Sequence, residues 1–113
     1  MRKLIVLTAL LALLAVPGLA SGKPEHQPGG KEAVAACKAE RDADPTAFKT
    51  KYANKNGKHA FKRCVRQHVR QARQTCRAER EADPAAFKTK YGNEKGKHAF
   101  KRCVRQHAGD PVT

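Results

Sequence analysis

The sequence predicts an all-α protein, a tandem repeat of two disulfide-stapled three-helix units sharing a long central helix. Three observations carry this. Cys37 to His68 aligns without a gap on Cys76 to His107, with 26 of 32 positions identical and an offset of 39 residues. Each copy holds two cysteines 27 residues apart. Between Lys58 and Asp83 no proline or glycine interrupts a run rich in Arg, Gln, Ala and Glu, residues that favour helix. An internal repeat of this kind fixes the architecture before any single residue is interpreted.

The elements follow in order. Residues 1–20 read as a secretory signal peptide: Arg2 and Lys3, the largely apolar run Leu4 to Val16, then Pro17-Gly18-Leu19-Ala20 with cleavage after Ala20. The run is too short for a membrane span, which takes roughly 20 apolar residues. Residues 21–30, with two prolines and three glycines, are expected to form a disordered lead-in. Repeat unit 1 covers 31–68, repeat unit 2 covers 69–107, and 108–113 is expected to be a disordered tail.

Within unit 1 a first helix starts at Lys31, with Ala33, Val34, Ala36, Cys37, Glu40 and Arg41 on the spacing of one face. Asp44-Pro45 breaks it and opens the next helix, with Asp44 as N-cap and Pro45 in the first turn. That helix runs to Tyr52 and puts Phe48 and Tyr52 on one side. Asn54 to Gly57 is a turn, preceded by Ala53 in one copy and Gly92 in the other, where a left-handed residue often closes a helix. The third helix is expected to begin at Lys58 and to run on into unit 2 as far as Asp83-Pro84. Phe87, Tyr91, the turn Gly92 to Gly96 and a last helix Lys97 to His107 complete the second copy.

After the signal peptide the chain has no Leu, Ile, Met or Trp, and eleven Val, Phe and Tyr supply its large apolar side chains. At roughly 1.5–3 kcal/mol each they fall short of the ordering cost of about 1–2 kcal/mol per residue. Cysteine crosslinks in an oxidising compartment are the natural supplement. Pairing Cys64 with Cys76 is excluded if the helix is continuous, because twelve residues place them about 18 Å apart. The duplication favours Cys37–Cys64 and Cys76–Cys103, each closing a loop worth roughly 3–4 kcal/mol in the chain-entropy model. A zinc site built from Cys64 with His68 and Cys103 with His107 is the rival, since each pair lies four residues apart on a helix face. His59 and His68 otherwise read as partly exposed polar residues at a helix edge.

The chain carries a net charge of +14, and loss of Arg2 and Lys3 leaves 22 basic against 10 acidic residues, +12. On a helical wheel Lys58, Lys62, Arg66, Arg70, Arg73, Arg77 and Arg80 fall within about a third of the circumference. They form a cationic ridge about 33 Å long. Phe61, Cys64, Val65, His68 and Ala72 fill a neighbouring, core-facing sector, and Lys101, Arg102 and Arg105 extend the charge in the second copy. Such a ridge suits a polyanion, whose counterions it releases: a cell-wall polymer, an acidic polysaccharide or nucleic acid. No nucleic-acid motif is present. A membrane-active cationic helix is the third reading, and it needs a wide apolar face that Phe61, Val65 and Val69 hardly supply. No catalytic residues, cofactor or resident metal are expected: the only serine after the signal is Ser21, and so small an apolar inventory encloses no dry pocket.

Cys37-Lys-Ala-Glu-Arg41, Ala43-Asp-Pro-Thr-Ala-Phe48, Tyr52 and Ala60-Phe-Lys-Arg-Cys-Val65 resemble a repeat of small secreted bacterial proteins of no assigned function. That repeat has the pattern C-x-x-E-R…D-P-x-A-F…K-Y-G…N-A-F-G-K-C-V. His59 and His98 stand where the pattern has Asn, Lys62 and Lys101 where it has Gly, and Ala53 for Gly in the first copy. The resemblance implies export and paired cysteines, and implies no activity.

Overall fold

The computed structural model describes residues 27–113, so the signal-peptide region and the first part of the lead-in lie outside the described residues. Five helices follow one another: α1 (Gly30–Ala43), α2 (Pro45–Tyr52), α3 (Ala60–Ala82), α4 (Pro84–Tyr91) and α5 (Ala99–His107). No strand occurs among the described residues, and no helix there is long and apolar enough to cross a membrane. The protein is all-α.

One residue separates α1 from α2, and its side chain explains the sharp corner. Asp44 is extended, at φ −149°, and its Oδ1 accepts from the backbone N–H groups of Thr46 (3.1 Å) and Ala47 (2.9 Å). Those donors have no partner inside the helix, and Pro45 removes a further one. Asp83 caps α4 in the same way through the Ala86 N–H at 2.9 Å. Each short helix then lays a Phe against a Tyr: the Phe48–Tyr52 and Phe87–Tyr91 rings have centroids 5.0 Å apart in both copies.

Helix α3 spans 23 residues and belongs to both copies. Near its start Cys64 is bonded to Cys37 of α1, and near its end Cys76 is bonded to Cys103 of α5, with Cα separations of 6.0 and 5.9 Å. All four cysteines are fully buried, and Val65, Val69 and Ala72 fill the space between the two bridges. Phe61 and Phe100 are only half-buried. Each is roofed by a guanidinium, Arg41 at 5.4 Å and Arg80 at 5.2 Å from the ring centroid, so the Arg stem shields apolar surface that the small core leaves open.

Several boundaries differ from expectation. α3 begins at Ala60, two residues later than Lys58, because His59 is left-handed at φ 63°; His98 repeats this at φ 62° before α5. Ala53 and Gly92 are extended, not left-handed. The turn's positive φ falls instead on Gly57 (70°) and Gly96 (66°). Asn54 organises that turn: its Oδ1 accepts from the Asn56 and Lys58 N–H groups at 3.0 and 2.8 Å, and Asn93 does the same for Lys95 and Lys97.

The ends of the described chain correct two further expectations. Gly29 and Gly30 are buried, and α1 starts at Gly30 inside the presumed lead-in. The segment 108–113 is not a loose tail: Ala108 is fully buried and Val112 is buried at 9 % exposure. The Gln71 side-chain amide donates to the Pro111 carbonyl at 3.4 Å. Gly29 shows why these ends meet. A Cβ there would stand 2.7 Å from the Ala108 Cβ and 3.0 Å from the Val104 carbonyl oxygen. The start of α1 therefore abuts the end of α5.

Candidate anion-binding surface

The exposed side of α3 is basic from Lys62 to Arg80, with the exposed Glu81 just beyond. Lys62, Arg66, Arg70, Arg73, Arg77 and Arg80 are all exposed, and so is Arg63 beside them. Lys58 precedes the left-handed His59 and is not on the helix, so the ridge starts at Lys62. From Lys62 to Arg80 it is about 27 Å long at 1.5 Å per residue. Among the described residues none of these side chains lies within 4.0 Å of a carboxylate. The ion pairs there join Arg41 to Asp42, Lys51 and His68 to Glu40, Lys90 and His107 to Glu79, and His107 to Asp110. Arg80 is partly engaged by Phe100; the others present their guanidinium and ammonium groups outward.

Sequence reasoning missed a depression on this surface. Arg63, Arg66 and Arg70 line a groove of about 430 Å³ together with Gln67, Gln71, Gln74 and Thr113. The glutamines recur at 3 to 4 residue spacing beside the arginines, which was the available signal. In the second copy Lys101 and Arg105 are exposed on α5 and line a groove of about 480 Å³ with Lys31 and Glu32 of α1. Arg102 is directed elsewhere, its Nη1 donating to the Gly92 carbonyl at 3.3 Å.

A second constellation was also not anticipated. In unit 1 the Tyr52 hydroxyl donates to Glu40 Oε2 at 2.9 Å, His68 Nε2 lies 3.1 Å from Glu40 Oε1, and His68 Nδ1 lies 3.1 Å from the Ala108 carbonyl. His68 is only 1 % exposed, which corrects its placement at a helix edge. Both ring nitrogens face oxygen atoms of the protein. Unit 2 repeats the theme with a more open ring: Tyr91 donates to Glu79 Oε2 at 2.8 Å, and His107 Nδ1 lies 2.8 Å from Asp110 Oδ2. The recurring Glu, Tyr and His at identical positions of both copies were the legible hint.

These contacts tune the carboxyls. Burial raises the Glu40 carboxyl, but hydrogen bonds from Tyr52 and His68 and the nearby Lys51 outweigh it, and the net pKa is lowered. For Glu79 the Tyr91 hydrogen bond is the largest influence, and with Lys90 and His107 it overcomes burial to lower the value. Burial raises both tyrosines, helped by the neighbouring glutamate. The arrangement is an internal clasp joining α1, α2 and α3.

The disulfides remove the donors on which the zinc reading relies. Ligand atoms of Cys37, Cys64 and His68 lie within 4.8 Å of one another, as do those of Glu79, Cys103 and His107. Their sulfurs are bonded in pairs, and no cysteine is free, so no thiolate is present to hold zinc. Two buried disulfides fit an oxidising, extracytoplasmic setting. Comparison with protein-family models, curated proteins and solved structures finds no match to this chain.

Proposed function

We propose that the protein is an exported, non-enzymatic module that contacts anionic polymers through the α3 ridge. Export is supported by the signal-like residues 1–20, with cleavage after Ala20, together with the oxidised cysteines. The resemblance to repeats of small secreted bacterial proteins points the same way. The observation that carries the binding reading is the row of exposed cations on α3, none of them within 4.0 Å of a carboxylate among the described residues. A merely solvated charged face is usually interleaved with acids that pair with it. The depressions on the surface are open and lined mainly by Arg, Lys and Gln, which favours binding over catalysis. Val65 and Val69 are buried and Phe61 lies under Arg41, so α3 has no outward apolar face to insert into a bilayer.

Salt-dependent binding tests this. With six ridge contacts to a duplex used as a generic polyanion, log K should fall with log salt with a slope of about −5. The triple variant Arg66→Glu, Arg70→Glu, Arg73→Glu should lower the steepness by at least half and elute from heparin near physiological salt. Retention of the triple variant equal to that of the wild type would refute the ridge. So would a scrambled control, with three exposed lysines outside α3 reversed, that loses as much.

A further inference from the structure

The duplication does more than copy the ridge: it rebuilds the groove on α3 from two separate helices. The 39-residue register pairs Arg66 with Arg105 of α5, and Arg70 and Gln71 with Lys31 and Glu32 of α1. All six positions line one groove or the other. Arg66 to Gln71 is one uninterrupted stretch of α3. Its counterpart is assembled where the end of α5 meets the start of α1, at the contact of Gly29 with Val104 and Ala108. The close approach that only glycine permits is thus what brings Lys31 and Arg105 to one depression. Both grooves, at about 430 and 480 Å³, fall in the size range of small-ligand sites.

The chemistry of the lining narrows the ligand. Arginine only donates, in a planar fork that fits a carboxylate bidentately. Glutamine both donates and accepts, which suits hydroxyl groups. Groove one combines the two kinds: Arg63, Arg66 and Arg70 with Gln67, Gln71 and Gln74. A polymer that carries both carboxylates and hydroxyls matches this lining. Neither groove has an aromatic lining residue, and single-stranded nucleic acid gains about 1–3 kcal/mol per base from stacking on such residues. We infer that the protein is bivalent for acidic polysaccharide, with one site on α3 and a second where α5 meets α1; this rests on the polyanion reading above. The second site is the weaker. Lys31 replaces the fork of Arg70 with a point charge, and Glu32 sets a like charge where Gln71 offers an amide.

Titration calorimetry on the oxidised full chain with hexagalacturonate, six carboxylates on a hydroxyl-rich backbone, tests the inference. Two hexamers per chain are expected, with unequal affinity. Arg66→Glu with Arg70→Glu should remove the tighter site and leave the other, and Lys101→Glu with Arg105→Glu should do the reverse. All four residues are exposed, and an unchanged circular-dichroism melt confirms that the variants fold. Glu32→Gln should tighten the weaker site about three-fold, the size of one exposed charge interaction. The oligonucleotide dT7, also with six charges, should bind about five-fold more weakly than the hexamer, because it lacks the backbone hydroxyls that pair with the glutamine amides. One hexamer per chain, lost with Arg66 and Arg70 and untouched at Lys101 and Arg105, would overturn bivalency and leave the polyanion reading standing. Tighter binding of dT7 would overturn the polysaccharide class. Absence of binding by either probe would overturn both readings together.

Discussion

Replacing Cys76 and Cys103 together by alanine should cost more than any other paired change outside the first bridge. The bridge joins residues 27 apart in sequence. In the chain-entropy model a loop of that length contributes about 3.5 kcal/mol at 25 °C. Both sulfurs are fully buried, so alanine also leaves unfilled space in the core. A folded part of 87 residues is expected to have a total stability of roughly 4–13 kcal/mol, so this one loss removes a large share. Structure adds a second consequence. α5 has nine residues, too few to persist as an isolated helix, and its end supplies the Ala108 carbonyl that faces His68. Releasing α5 therefore also uncovers the clasp of unit 1. Urea denaturation followed by circular dichroism at 222 nm would measure the difference between the oxidised wild type and the double variant. A loss near 3.5 kcal/mol or more is expected, and reduction of both bridges should abolish cooperative melting near room temperature. A double variant that loses less than about 1 kcal/mol would refute the claim that crosslinks, more than apolar burial, hold the units together.

Other changes separate the remaining contributions. Gly29→Ala and Gly57→Ala both place a Cβ on a positive φ, 81° and 70°, but only Gly29 has neighbours within 4 Å. In urea titrations Gly57→Ala should cost about 1–2 kcal/mol and Gly29→Ala about 1–3 kcal/mol beyond that. His59→Asn with His98→Asn should raise stability by roughly 0.5–1 kcal/mol, because asparagine tolerates the left-handed backbone that both histidines adopt; thermal melts report it. The pH dependence follows from Glu40 and Glu79, whose pKa values lie below the ordinary 4.5 in the folded state. A depressed carboxyl contributes stability that is complete above its unfolded pKa and is lost as pH falls through the folded one. Melting temperature should thus decline below about pH 4.5, and Glu40→Gln with Glu79→Gln should flatten that decline while lowering stability at neutral pH.

Much of the helical order was legible because it depends on local chemistry. Asp44-Pro45 and Asp83-Pro84 both cap and restart helices, and the uninterrupted run that became α3 has no residue able to stop it. The cysteine partners followed from the duplication and the rise of a helix. His59 escaped notice because a left-handed histidine has no sequence mark of its own, and the first turn of α3 moved to Ala60 with it. Ala108 and Val112 were read as loose since small or isolated apolar residues near an end show no periodicity. Ala108 meets Gly29 and His68, and the neighbouring Pro111 meets Gln71, all far away in sequence. The α3 cations were visible on a wheel, whereas the second groove depends on two helix ends that meet only in three dimensions.

The sharing of α3 has a geometric consequence. Twelve residues separate its two cysteines, which amounts to three full revolutions and about 120° more, with an advance of about 18 Å. The helix therefore acts as a spindle that sets the phase between the two halves. Inserting one residue between Val65 and Thr75 would swing the second half by about 100° without breaking a single hydrogen-bonded turn. The bridges could still close, yet the ends near Gly29 and Ala108 would part company, and whatever is recognised there would be recognised no longer.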